Sequence, residues 1–262
     1  MKKMRPGQVM NSAFLIENTA QEFWALAGEA PGYPCDIKMA ITLTMPLELY
    51  GVPGLRVADV LEWTQKVGIA YSMPGHNRRL HGCLLADRDK GTIFYDAGDS
   101  EDEQRFTLAH ELAHFLLDYQ APRRRAVMIL GPSILPVLNG DRPPTISERV
   151  HAVLSNVSLG TMSHFMERPD DGLPESIVLD VENRADRLAL ELLAPASSLQ
   201  EMMGTPAAPR GFNRRLSFLT QQLLGTYGLP AAIADAYARY ILAQLGESGV
   251  HDWLFATGDE IF

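Results

Sequence analysis

His110 and His114 stand four residues apart in the run FTLAHELAHFLL at Phe106–Leu117. On a helix that spacing projects both imidazoles from one face, where they can grip a single metal ion. Glu111 follows the first histidine, outside the pair's own geometry but within reach of a water at the metal. Together the three residues make the HExxH arrangement, two zinc ligands and a general base for hydrolysis. Chance alone produces it in roughly one chain per hundred of this length, so its surroundings must carry the argument. Here it sits in an apolar segment, where three closely spaced polar side chains need partners.

A catalytic zinc takes three protein ligands and keeps one position open. The run PESIVLDVENRADRLALELLAP at Pro174–Pro195 predicts a second helix, with Pro174 in its first turn and Pro195 ending it. On it Glu182 and Asp186 lie four apart. The first is placed to complete a His₂Glu set, the second to orient a ligating imidazole from behind. Glu175 and Glu191 are rival third ligands on the same helix, and a solvated face paired with Arg184 and Arg187 is the plain alternative. Ala185, Leu188, Ala189, Leu192 and Leu193 should pack this helix against the first. One Zn²⁺ is the expected cofactor; Mn²⁺ is the other candidate, since metal identity follows availability as well as ligand type.

The elements that must position these residues are legible in outline. LELYGVPGLRVADVLEWTQKVG predicts a turn at Gly51–Gly54 and then an amphipathic helix burying Val57, Val60, Leu61 and Trp63 or Thr64. The β-prone runs from His81 and from Thr92, joined by Asp87-Arg-Asp-Lys-Gly, predict a hairpin. Ser100-Glu-Asp-Glu103 is a capping box opening a helix from about Glu103 to Tyr119, which Pro122 should stop. The stretch 121–173 is rich in Pro, Gly and Arg and reads as an insertion or adaptable lid. Two helices, about Phe212–Tyr227 and Ala231–Leu245, form a C-terminal hairpin.

Several residues have a chemical and a plain reading. His151 and His164, in the insertion, could donate to the oxyanion of a tetrahedral intermediate, or could simply pack at the surface. Tyr119 could do the same or anchor the core through its hydroxyl. Arg105 could support the motif helix, meet a substrate carboxylate, or be solvated in a first turn. Arg123-Arg-Arg125 suits a solvated loop or a patch for an acidic partner.

Composition narrows the classes. The chain has 262 residues, 46% of them apolar, and a net charge of −9, which argues against broad electrostatic binding to nucleic acid or anionic membrane. Two cysteines, Cys35 and Cys83, argue against a disulfide scaffold and exclude a Cys-rich zinc site. The N-terminal region has neither a convincing signal peptide nor a membrane span, so a cytoplasmic protein is expected.

RFTLAHELAHFLL at Arg105–Leu117 and ENRADRLALELLAP at Glu182–Pro195 resemble the ImmA/IrrE family of zinc metallopeptidases, over roughly Leu55 to Leu199. The resemblance implies an α+β, mainly helical zincin-like metallopeptidase with a small β-sheet, its two motif helices forming the metal site. It implies that His110, His114 and Glu182 bind zinc, that Glu111 activates water, and that Asp186 supports a ligand. It also implies a protein substrate, a helix-turn-helix repressor cut to release stress-response or mobile-element genes. The chain departs from the family in the 67 residues between His114 and Glu182, where a shorter connection is usual, and in having Asp186 and Leu188 in its second motif. The expected organisation is an N-terminal segment over 1–54 packed on a peptidase domain over 55–200, with the insertion at about 121–173 and the helical hairpin at 201–262. A metal-containing regulator that sequesters a repressor without cleaving it is the alternative from another class.

Overall fold

A computed structural model describes residues 12–28, 32–69, 77–155, 157–168 and 184–246. Helices α1 (Ser12–Ala27) and α2 (Ile37–Thr44) lead into strand β1 (Leu47–Val52) and helix α3 (Val57–Val67). Strands β2 (Leu80–Asp87) and β3 (Lys90–Asp96) then form the expected hairpin. Its two-residue turn, Arg88-Asp89, has φ of 49° and 63°, the left-handed geometry that matches strand twist. Two side chains brace that turn: the Asp89 N–H donates to Tyr119 Oη at 3.1 Å, and Arg123 Nε donates to the Asp89 carboxylate at 2.9 Å.

The motif helix α4 (Glu101–His114) starts at Ser100, and both halves of the capping box are made. The helix does not stop at Pro122. A π turn, Phe115–Gln120, carries the chain into α5 (Ala121–Leu130), with Ala121 N–H bonded to Leu116 O. Proline breaks an α-helix because it has no N–H to give and its ring crowds the carbonyl four back. The wider turn sets Pro122 into the first turn of the next segment, where that donor is not required.

Within the expected insertion, α6 (Leu135–Leu138) and α7 (Ile146–Leu154) share a small apolar cluster with Ala126 of α5. Strand β4 (Met162–Glu167) follows and joins the sheet, whose order is β1-β3-β2-β4. β1 runs parallel to β3, and β4 runs antiparallel to β2 with His164 opposite Leu84. Arg123 is a buried clamp, donating to Asp89, to Leu138 O and to Asn139, and not the solvated loop residue its neighbours suggested.

Helices α8 (Arg184–Leu193), α9 (Ala196–Gly204), α10 (Phe212–Gly225) and α11 (Ala231–Gln244) complete the described chain. The sheet has apolar side chains on both faces, as its nearly unbroken hydrophobic strands require. Cys83, Leu85 and Phe94 meet Val57 and Val60 of α3 on one side. Leu84, Ala86 and Ile93 face α4 on the other, in a larger cluster that continues through α8 to the C-terminal helices. All five apolar residues expected to seat α8 on α4 are buried in that second cluster. Tyr237 Oη donates to Ala194 O at 3.0 Å, and Arg105 Nη1 donates to Gly228 O at 2.7 Å. Arg105 therefore supports the motif helix by tying it to the C-terminal hairpin.

Where α4 crosses β2, Gly82 sets the spacing. A Cβ there would lie 2.4 Å from Thr107 Cγ2 and 3.4 Å from Glu111 Cγ. Gly82→Ala should therefore cost about 1–3 kcal/mol through overpacking, read from the urea midpoint. Adding Thr107→Ser removes the clashing methyl and should recover part of the loss; a double variant no better than Gly82→Ala would sink this account.

Candidate metal centre

The two motif histidines lie on the inner face of α4, both buried. Their Nε2 atoms are 3.2 Å apart. Two imidazoles on one tetrahedral zinc, with Zn–N bonds of about 2.0–2.1 Å, would have donors separated by about 3.3–3.4 Å. The pair is therefore spaced as a single ion demands, without rearrangement of the helix.

Each histidine has its other ring nitrogen against a carboxylate. Asp186 Oδ1, on α8, lies 2.8 Å from His110 Nδ1, an ion-pair contact that lacks linear hydrogen-bond geometry. Asp118 Oδ2 lies 2.7 Å from His114 Nδ1, and Arg184 holds the other Asp118 oxygen at 3.0 Å. Carboxylates in this position fix the tautomer and aim Nε2 at the metal. Burial lowers the His114 pKa despite Asp118, favouring the neutral form that a ligand needs. At His110 burial acts the same way, but Asp186 and Glu111 outweigh it and the pKa is raised. Burial would raise the Asp118 pKa, yet His114 and Arg184 prevail and hold it low.

Glu111 is fully buried beside the pair. Its two carboxylate oxygens lie 3.2 and 3.0 Å from His164 Nδ1. The His164 ring stacks on that of His114, with centroids 3.5 Å apart and planes 20° from parallel. Nitrogens of His110, His114 and His164 all fall within 4.8 Å of one another, so among the described residues these three could hold an ion together.

Glu182 and Glu175 lie outside the described residues. Glu191 points elsewhere: it is mostly buried and accepts a hydrogen bond from Ala196 N at 3.1 Å, capping α9. Burial raises its pKa. His151 lies on α7 with Ser155 for a neighbour, and Tyr119 is a buried anchor for the β2–β3 turn. Sequence reading passed over Asp118, although its place four residues after His114 was a visible signal. His164 stood level with His151 as a possible oxyanion donor, and strand pairing is what brings His164 to the centre.

Residues 71–129 match the family model Peptidase_M78, described as the IrrE N-terminal-like domain. Over that segment, which runs from before β2 into the last turn of α5, the chain is similar to a metallopeptidase-like family. No curated protein and no solved structure matches it. Among the described residues, no helix is long and apolar enough to cross a membrane.

Proposed function

We propose that this chain is a zinc-dependent endopeptidase, with His110, His114 and Glu182 as protein ligands and Glu111 as the general base. The carrying observation is the 3.2 Å separation of the two Nε2 atoms, with a carboxylate behind each ring. Glu182 enters through the resemblance of its motif. It is supported by Asp186, four residues on, which reaches His110. Bound zinc would supply the Lewis acidity that polarises a scissile carbonyl and makes water a nucleophile at neutral pH. Glu111 takes a proton from the attacking water and returns it to the leaving amine. Asp186 and Asp118 keep the imidazoles aimed while this happens.

The proposed substrate is a protein, a helix-turn-helix repressor of stress-response or mobile-element genes, on the strength of the family resemblance. The negative net charge argues against direct binding to nucleic acid. A cytoplasmic setting fits Cys35 and Cys83, both buried and unpaired. Sequestration of a repressor without cleavage is the second reading. The observation in its favour is that His164 engages both oxygens of Glu111, leaving the base occupied.

Immobilised Glu111→Gln protein exposed to lysate of the native host separates the two. A helix-turn-helix protein that the variant holds and the metal-loaded wild type cuts is the expected result. A partner held stoichiometrically and never cut would replace peptidase by sequestration.

A further inference from the structure

The ring of His164 lies against both motif imidazoles and the buried carboxylate of Glu111. It stacks on one zinc-site histidine, shares hydrogen-bond distance with the buried base, and lies within ligand reach of both helix imidazoles. A water activated by Glu111 would need this same space, between the carboxylate and the Nε2 pair. We propose that His164 is an exchangeable third imidazole ligand, delivered by the edge strand β4 into the position that water and substrate must enter. The proposal rests on the zinc reading above and adds to it a centre that its own chain closes at rest.

The placement is built by the sheet. His164 faces α4 because β4 pairs antiparallel with β2 in the register that sets it opposite Leu84. Side chains pin both ends of the strand. Thr161 Oγ1 donates to the Asp87 carboxylate at 3.2 Å before it, and after it Arg168 binds Asp96 at 3.0 Å and also Asp99. Asp96 in turn accepts from Gly54 N and Gly98 N, so the anchor reaches the turn that precedes α4. Between those anchors the strand is only half-buried, and among the described residues it pairs on one side only. Opening the centre thus requires rotation of one side chain, with no need to unzip the strand. A catalytic zinc site keeps one position free of permanent protein ligands, and an imidazole that rotates aside satisfies that requirement while shielding the ion at rest.

The test uses Co²⁺ as a spectroscopic probe and acetohydroxamate as a small competing ligand. His164→Phe keeps an aromatic ring against His114 but has no donor atom; His164→Ala removes both, and a cooperative thermal transition checks that each variant folds. Wild type should bind one Co²⁺. Both variants should bind it more weakly, by about tenfold or more, at least the loss expected for an outer partner of a ligand. Their visible absorption should differ from wild type, and acetohydroxamate should bind the Co²⁺-loaded variants more tightly, because no imidazole has to be displaced. Unchanged Co²⁺ affinity, spectrum and hydroxamate affinity in both variants would overturn the role of His164 and leave the zinc reading intact. Wild type that takes up no Co²⁺ would overturn the zinc reading itself, and this proposal with it.

Discussion

Glu111→Gln should retain its metal while hydrolysis of the captured protein falls by about 10²–10⁴-fold, the usual worth of a positioned general base. The amide has nearly the shape of the carboxylate, and its oxygen can still accept from His164 Nδ1, now 3.0 Å from the native side chain. The two imidazoles and their carboxylate partners are untouched, so metal content measured by mass spectrometry should equal that of wild type. Folding should not suffer, since the amide fills the same buried volume and can keep the contact with His164. Initial rates of product formation, compared at equal metal occupancy, isolate the proton-transfer role. Equal rates in the two proteins would mean that the base lies elsewhere.

Asp186→Ala should weaken metal binding by about 10–100-fold, the range for losing an outer partner of a histidine ligand. The carboxylate is the sole described group from α8 that meets His110 Nδ1, at 2.8 Å, and its side chain is 15% exposed. Without it the ring can turn and change tautomer, and Nε2 no longer waits at the metal position. Asp118→Ala should act in the same direction at His114 but less strongly, because Asp118 is 30% exposed and solvent screens it more. Competition against a chromophoric chelator at fixed pH gives both affinities. If Asp186→Ala binds zinc as tightly as wild type, the α8 carboxylate has no part in holding the ligand, and the support it lends to Glu182 disappears as well.

What the sequence determined by itself is what short-range spacing can encode. His110 and His114 share a helix face because they are one turn apart, and the structure keeps both on the inner face of α4. Ser100 and Glu103 announce the start of that helix, and each makes its expected bond. The alternating turn chemistry of Asp87–Gly91 predicted the β2–β3 hairpin, and the apolar set from Ala185 to Leu193 predicted the face that α8 buries. Each of these depends on residues within about two turns or one hairpin of one another, where stereochemistry alone sets the geometry.

Tertiary structure decided the rest. Pro122 reads as a helix stop, yet a π turn packed beneath the sheet lets the chain continue into α5, since burial of Phe115, Leu117 and Tyr119 outweighs a local preference. Arg123 reads as solvated, but the β2–β3 turn and the chain around Leu138 close over it and satisfy its donors. Above all, His164 reaches the centre only through the register of β4 on β2, a pairing between residues 80 positions apart. Strand register depends on which distant partner buries the right face, and no periodicity within a single segment contains that information.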